Sequence, residues 1–175
     1  MGHEIVQIDA FASRAFAGNP AAVCVVDALD DPEWMQRVAT EMNLSETAFV
    51  RARGDGAYDL KWFTPVREVE LCGHATLAAA HALLEAGMAR EGETLRFQTL
   101  SGELIARIGA AGMLEIDLPA RPVKKGNEPK GLREAVGMAF AYAGRNSLGY
   151  ELVELESAEA VRRVSPNSGG LKRID

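Results

Sequence analysis

An apolar segment without a polar face most strongly constrains the fold of this chain. Residues 74–86 predict a helix whose side chains are small or apolar nearly all round, and Gly87 is placed to end it in a left-handed conformation. A helix that is apolar on every face is buried on every face. At about 1.5 Å per residue it spans roughly 20 Å, which is too short to cross a bilayer. We therefore predict the central helix of a soluble domain, surrounded by strands.

Segments that alternate between apolar and polar residues occur on both sides of this helix. A surface helix is expected from Asp30–Asp31–Pro32, which resembles a capped helix start, to Asn43, which can end a helix. The strands are predicted at residues 4–11, 21–26, 48–50, 58–63, 94–100, 103–109 and 113–118. The pattern indicates an α+β fold in which a mostly antiparallel sheet curls around the central apolar helix.

Composition shifts divide the chain into three parts. Residues 1–118 contain the predicted surface helix, the central helix at 74–86 and the predicted strands, and form the first domain. Residues 119–131 are rich in Pro, Lys and Gly and are interpreted as a linker. Residues 132–175 carry a helix–strand–helix pattern, with the helices at 132–139 and 157–164 and the strand at 150–155, and are interpreted as the incomplete start of a second domain.

The charge and cysteine content exclude several classes of function. A net charge of −6 argues against binding to nucleic acid or to an anionic membrane surface. No apolar leader or membrane-length apolar run is present, so we expect a cytoplasmic protein. Two cysteines do not make a disulfide framework in that compartment, and the spacing of the three histidines and two cysteines predicts no metal site.

The start of the central helix is the first candidate for chemistry. The amides of residues 73–76 lie at the positive end of the helix dipole, and Gly73 leaves room for a carboxylate or enolate to approach them. Cys72 stands at the same point, where the pKa of a thiol tends to be lowered. The alternative is that Cys72 is a small buried residue before a tight turn.

Two other polar residues are candidates, each with a plainer alternative. Glu46 precedes an apolar strand, where a partly buried carboxyl could exchange protons near neutral pH, but a lone Glu is more often a solvated loop acid. Residues 18–20, Gly-Asn-Pro, predict a turn. In the functional alternative, the Asn19 amide binds a carboxylate or an amine of a substrate.

Five motifs, in order, resemble the PhzF-like (phenazine biosynthesis) family. They are Gln7-x-Asp9-Ala10-Phe11 with Phe16-x-Gly18-Asn19-Pro20-Ala21-Ala22-Val23, the run Glu41 to Phe49 (EMNLSETAF), Trp62-Phe63-Thr64-Pro65-x-x-Glu68-Val69, and Leu71-Cys72-Gly73-His74-Ala75-Thr76. The resemblance covers residues 4 to about 118, and a weaker similarity extends over residues 153–166. It implies a diaminopimelate-epimerase-like fold, in which two pseudo-symmetric halves each wrap a sheet around a helix and enclose the active site between them.

The resemblance also implies an activity and a set of site residues. Members of the family are cofactor-free isomerases that move a proton next to a carboxylate-bearing carbon, so neither a cofactor nor a metal is expected. Glu46 is similar to the general acid/base of the family. Cys72 matches a catalytic thiol of the related epimerases and is a second catalytic candidate. The substrate-binding positions implied are Asn19, Ser45, Gly73, His74, Ala75 and Thr76.

Three hypotheses follow for the function. The first is a PhzF-like isomerase or epimerase acting on a small carboxylate-bearing molecule. The second is a fragment or half-domain without turnover that binds ligand or associates with itself as a homodimer. It is considered because no second Gly-His-x-Thr-like segment occurs before residue 175. The third is an enzyme that depends on the Cys72 thiol. Dinucleotide binding is excluded, because no G-x-G-x-x-G sequence follows a strand.

Overall fold

A computed structural model describes residues 3–14 and 16–174 of the chain. The chain divides into two units, Met1–Leu118 and Pro119–Asp175. In the described part of the first unit, the strands are β1 (Ile5–Ala10), β2 (Asn19–Val25), β3 (Glu46–Ala52), β4 (Tyr58–Phe63), β5 (Glu68–Val69), β6 (Thr94–Thr99), β7 (Gly102–Ile108) and β8 (Leu114–Asp117). Its α-helices are α1 (Pro32–Met42) and α2 (Gly73–Glu85).

The strands of the first unit form one mixed sheet. Its order is β1-β2-β3-β4-β6-β7-β8, with β5 paired to β4. The β2–β3 and β4–β6 pairs are parallel, and the other pairs are antiparallel. Helix α2 packs against strands at both ends of this order, β1 and β8, as well as against β2, β3 and β7. A sheet that contacts one helix from end to end must curl around it, so the predicted α+β fold with a central helix is confirmed.

Small side chains allow the strands to approach α2 closely. The buried residues of the helix are Ala75, Thr76, Ala78, Ala79, Ala80, Ala82 and Leu83. The helix lies one residue earlier at each end than the predicted 74–86. Gly87 has a φ of +70°, and the amides of Gly87 and Met88 donate to the carbonyl oxygens of Leu84 and Leu83. This is a Schellman C-cap, which satisfies two carbonyls that the helix itself leaves free.

Helix α1 covers the opposite face of the sheet. The Asp31 side chain accepts a hydrogen bond from the Trp34 amide at 2.8 Å, and Asn43 ends the helix with a left-handed backbone, both as predicted. The core on this side is a separate cluster made of Cys24, Val26, Met35, Ala39, Phe49 and Phe63. The sheet is therefore buried on both faces where β2, β3 and β4 run between the helices.

The predicted turn at residues 18–20 is wrong, and β1 is less buried than its apolar residues suggest. Asn19 and Pro20 do not form a turn; they begin β2 and pair with Ala10 and Asp9 of β1. A proline is compatible with the first positions of a strand, so the Gly-Asn-Pro sequence ends the preceding loop rather than interrupting a strand. Strand β1 is also less buried than its composition suggests, because Val6 and Ile8 pack against the core while Ile5 is 36% exposed.

The second unit has its own sheet and core. Its described strands are β9 (Lys124–Lys125), β10 (Tyr142–Arg145) and β11 (Glu151–Glu154), in the antiparallel order β11-β10-β9. Its helices are α3 (Leu132–Val136), α4 (Ala158–Arg163) and α5 (Ser168–Leu171). Strand β9 lies inside the predicted linker, and β10 has no counterpart in the prediction. Leu132, Val136 and Phe140 form the core. No helix in residues 3–14 and 16–174 combines the length and apolar character needed to cross a membrane.

Candidate active site

Strand alternation directs Glu46 toward the central helix. Glu46 is the first residue of β3 and is paired with Ala21 of the parallel strand β2. Ala21, Ala48 and Val50 all belong to the core that surrounds α2. Because alternate residues of a strand share one face, the Glu46 side chain lies on the α2 side of the sheet. It is partly buried, with 19% of the side chain exposed.

The first turn of α2 presents the positive end of the helix to the site. Cys72 is the N-cap, and its carbonyl accepts both the Thr76 amide at 3.3 Å and the Thr76 hydroxyl at 2.5 Å. The amides of residues 73–75 precede this first helical hydrogen bond, and those of His74 and Ala75 interact with the Cys72 side chain. The positive end of the helix can favour an anion placed beside it.

His74 connects the start of α2 with the start of β3. Its Nε2 lies 3.4 Å from Glu46 Oε2 and 3.2 Å from Ser45 Oγ, while its Nδ1 lies 3.4 Å from Cys72 Sγ. The His74 side chain is only 10% exposed. One imidazole ring is therefore in contact with a carboxylate, a hydroxyl and a thiol, all at the edge of the sheet where β3 begins.

The Cys72 thiol differs from its prediction. Burial raises its pKa to about 12, and the nearby Glu46 carboxylate adds to the rise. The amides of Ala75 and His74 act in the opposite direction but are outweighed. The helix start alone would favour a thiolate, whereas a site that is buried beside another anion disfavours one. A protonated thiol can donate to Nδ1 of His74, which leaves the proton of a neutral ring on Nε2, facing Glu46.

The remaining predicted residues lie in or near this arrangement. A Cβ on Gly73 would be 3.3 Å from Leu118 Cδ1 and 3.6 Å from Ile116 Cδ1, so apolar side chains in and directly after β8 occupy the space beside it. Ala75 and Thr76 are buried. Asn19 is exposed and stands two residues before Ala21, on the same strand face and at the same sheet edge as Glu46. The structure thus groups the predicted residues at one end of the sheet.

The arrangement contains one feature that the sequence does not indicate. Glu46, Cys72 and His74 each offer a donor atom, and these three atoms all lie within 4.8 Å of one another. The spacing of Cys and His residues along the chain gives no sign of this, because the third residue comes from a distant strand. The sequence does contain one sign of this cluster, which is the short Cys72-x-His74 segment at a helix start.

Comparisons with known proteins identify the family to which the chain is similar. The family described as phenazine biosynthesis-like protein matches residues 8–174. The chain is 45% identical over 172 residues to an uncharacterized isomerase of Halalkalibacterium halodurans, covering 98% of this chain and 64% of that protein. It is 50% identical over 121 residues to the human phenazine biosynthesis-like domain-containing protein, and this match covers 65% of this chain and 41% of the human protein.

A solved structure shows the same fold. The crystal structure of a PhzF-family phenazine biosynthesis protein from Enterococcus faecalis superposes with a TM-score of 0.88 at 35% identity, covering 100% of this chain and 65% of that one. The chain thus spans slightly less than two thirds of these bacterial relatives. The family match, the relatives and the superposition together show that the chain belongs to the phenazine biosynthesis-like (PhzC-PhzF) family of proteins.

Proposed function

We propose that the chain acts as a cofactor-free isomerase or epimerase that moves a proton next to a carboxylate-bearing carbon of a small molecule. Glu46 is the general acid/base. Its carboxylate takes the proton from that carbon, which breaks the C–H bond, forms an O–H bond on Glu46 and leaves an enolate. Return of the proton to a different position or face of the substrate completes the reaction. The observation that carries the proposal is the Glu46–His74 contact of 3.4 Å at the start of the buried helix α2.

The surroundings of Glu46 suit proton transfer. With 19% of its side chain exposed, the carboxylate is shielded from bulk water yet still reachable from outside. His74 contacts it at 3.4 Å and is itself in contact with Ser45 Oγ at 3.2 Å, which limits the positions that the carboxylate can adopt. A carboxylate held in this way can meet a C–H bond at a fixed distance and angle, which is the condition for general-base catalysis.

The helix start supplies the complementary charge. An enolate next to a carboxylate carries negative charge on oxygen, and the positive end of α2 can stabilise it. His74 stands in the same turn and can add a further donor through its ring. Asn19, on the same edge of the sheet, is available to bind another polar group of the substrate.

The names of relatives support the class of reaction. The Halalkalibacterium halodurans relative is described as an isomerase, and so are two relatives from Pseudomonas aeruginosa at 46% and 45% identity. Isomerisation by proton transfer needs a base, a neighbouring acid and an oxyanion site, and the Glu46 cluster offers these groups. The substrate itself stays undefined within the class of small carboxylates, including amino- and hydroxy-substituted ones.

Deuterium exchange tests the proposal across this whole class of substrates at once. The chain is incubated in deuterium oxide with a set of small amino and hydroxy carboxylates, and loss of each C–H signal is followed by proton NMR. We expect at least one compound to exchange with the intact chain. In Glu46→Gln that exchange should fall by about 100-fold or more, as for the loss of a general base.

The chain offers a matched control for this substitution. Glu85 lies 3.3 Å from His81 on an exposed part of α2, so Glu85→Gln alters a similar His–Glu pair away from the site. That variant should exchange like the intact chain. If the intact chain exchanges no compound in the set, the isomerase proposal fails; if Glu46→Gln exchanges normally, the role of Glu46 fails.

A second candidate function is a self-associating or ligand-binding protein without turnover. A groove of about 520 Å³ lies between the end strands β1 and β8, above α2. Phe11 and Met113 line it and are 75% and 72% exposed. Apolar side chains between two sheet edges suit a second copy of this chain. Analytical ultracentrifugation decides the point: a monomer at all concentrations contradicts this candidate, and a dimer disrupted by Met113→Asp supports it.

A further inference from the structure

The cluster of Glu46, Cys72 and His74 has the composition of a zinc site. It combines a thiol, an imidazole and a carboxylate, which are the three side-chain types that bind Zn²⁺ in proteins. With metal–ligand distances of about 2.0–2.3 Å, tetrahedral zinc needs donor atoms roughly 3.3–3.6 Å apart. The Cys72 Sγ–His74 Nδ1 and His74 Nε2–Glu46 Oε2 distances are both 3.4 Å, but they involve different ring nitrogens, so only one of them can match this spacing for a single ion. The remaining ligand has to approach the nitrogen that binds zinc, and the three donor atoms lie within 4.8 Å of one another.

The change needed to close the site is small. One donor atom from each of the three side chains already lies within 4.8 Å of the other two. To reach the tetrahedral spacing, the longest of these distances has to shorten by about an ångström. The ring nitrogen that does not bind the ion stays close to the side chains around it, and such outer contacts orient a ligating histidine. Ser45 is exposed, so water can reach the fourth position.

We propose that this cluster binds a single zinc ion through Cys72 Sγ, one ring nitrogen of His74 and a carboxylate oxygen of Glu46. Binding breaks the S–H bond of Cys72, forms an S–Zn bond and releases the proton to solvent. The ion does not serve the reaction. It occupies the carboxylate oxygen that Glu46 would use as a base, so zinc inhibits the isomerase. The inhibition rests on the proposed function, whereas the binding of zinc does not.

Zinc binding can be measured without any substrate. Metal-free chain is titrated with zinc chloride in a calorimeter, and with Co²⁺ in a spectrophotometer, where a thiolate–cobalt charge-transfer band reports the Cys72 sulfur directly. We expect one ion per chain and the charge-transfer band. Cys72→Ser should lose the band, and His74→Gln and Glu46→Gln should weaken zinc binding by at least about tenfold, since loss of even an outer-shell partner costs 10- to 100-fold.

Two controls share the chemistry of the site but not its geometry. His81→Gln removes the histidine of the exposed His81–Glu85 pair, which has no nearby cysteine among the described residues. Cys24→Ala removes the other thiol, which is buried in the opposite core. Both variants should bind zinc as the intact chain does. Circular dichroism verifies that each variant is folded, and His74→Gln keeps the test decisive if Cys72→Ser unfolds.

Several outcomes would overturn the inference. They are the absence of zinc binding by the intact chain, a cobalt spectrum without a thiolate band, and equal affinity in Cys72→Ser and the intact chain. None of these results affects the deuterium-exchange experiment, which is done in the presence of a chelator. Failure of the zinc site and failure of the isomerase proposal can therefore be told apart.

Discussion

His74 Nε2 lies 3.4 Å from Glu46 Oε2, and the same ring contacts Cys72 through its other nitrogen at 3.4 Å. Glu46 begins a strand, and His74 stands in the first turn of the buried helix. The contact therefore depends on how β3 packs against α2, and it links the chemistry of the site to the core of the unit. Each part of this relationship can be tested separately.

Substitution of His74 tests whether the ring takes part in proton transfer. In His74→Gln, we expect the exchange catalysed by Glu46 to fall by about 100-fold, because the imidazole that would act as a general acid or hydrogen-bond donor is lost. Deuterium exchange into the carboxylate that the intact chain accepts is the measurement. His81→Gln is the matched control and should be unaffected, because His81 is paired with Glu85 away from the site. Equal rates in both variants would contradict a role for the ring.

Thiol reactivity tests the environment of Cys72. Burial raises the pKa of Cys72 to about 12 and that of Cys24 to about 11, so both thiols are neutral at pH 7. Alkylating agents attack the thiolate. In metal-free Cys24→Ala, which leaves Cys72 as the sole thiol, we therefore expect labelling by iodoacetamide to be much slower in the folded chain than in urea.

The direction of the pH dependence follows from the same shift. As pH rises from 8 toward the raised pKa of Cys72, the thiolate fraction of the folded chain increases, and the labelling rate should increase with it. In urea the rate should level off nearer the ordinary thiol pKa. Rapid, pH-independent labelling of the folded variant near neutral pH would show instead that Cys72 is a thiolate.

The central helix sets the stability of the first unit. Leu83 is fully buried among strands on several sides, so Leu83→Ala should lower the free energy of unfolding by about 2–5 kcal/mol, from lost burial and the cavity that remains. Urea denaturation measures the change. Leu100→Ala is the control, because Leu100 is 65% exposed and its truncation should cost under about 0.5 kcal/mol. Similar losses in both variants would contradict a central role for α2.

The sequence predicts those parts of the fold that depend on local chemistry. The Asp31 cap, the left-handed Asn43 and the Gly87 C-cap are where residue type requires them, and the apolar surface of α2 predicts its burial. Residues whose role is set by distant contacts are predicted less well. Pro20 lies inside β2 because the partner strands accept it there, although Gly-Asn-Pro is more often a turn.

The features of the site also divide into those that depend on local sequence and those that depend on distant contacts. The amides at the start of α2 follow from the sequence around them, whereas the partial burial of Glu46 is only one of the two alternatives that the sequence leaves open. The contact of His74 with Glu46 does not follow from the sequence, because it depends on the alignment of a strand and a helix that are far apart in the chain. Of the two alternatives for Cys72, the lowered pKa is wrong and the small buried residue is confirmed, because the burial and the carboxylate that raise its pKa come from the fold.

The alanines of α2 restrict how this protein can change through mutation. Any larger residue at Ala75, Ala78 or Ala79 would have to displace a strand, and the one smaller residue, glycine, costs about 1 kcal/mol within a helix. This surface therefore admits few substitutions in either direction. Exposed positions at the edge of the site, such as Asn19 and Ser45, have no such restriction. Residues at the rim of the cluster can therefore vary while the helix that holds Cys72 and His74 stays fixed.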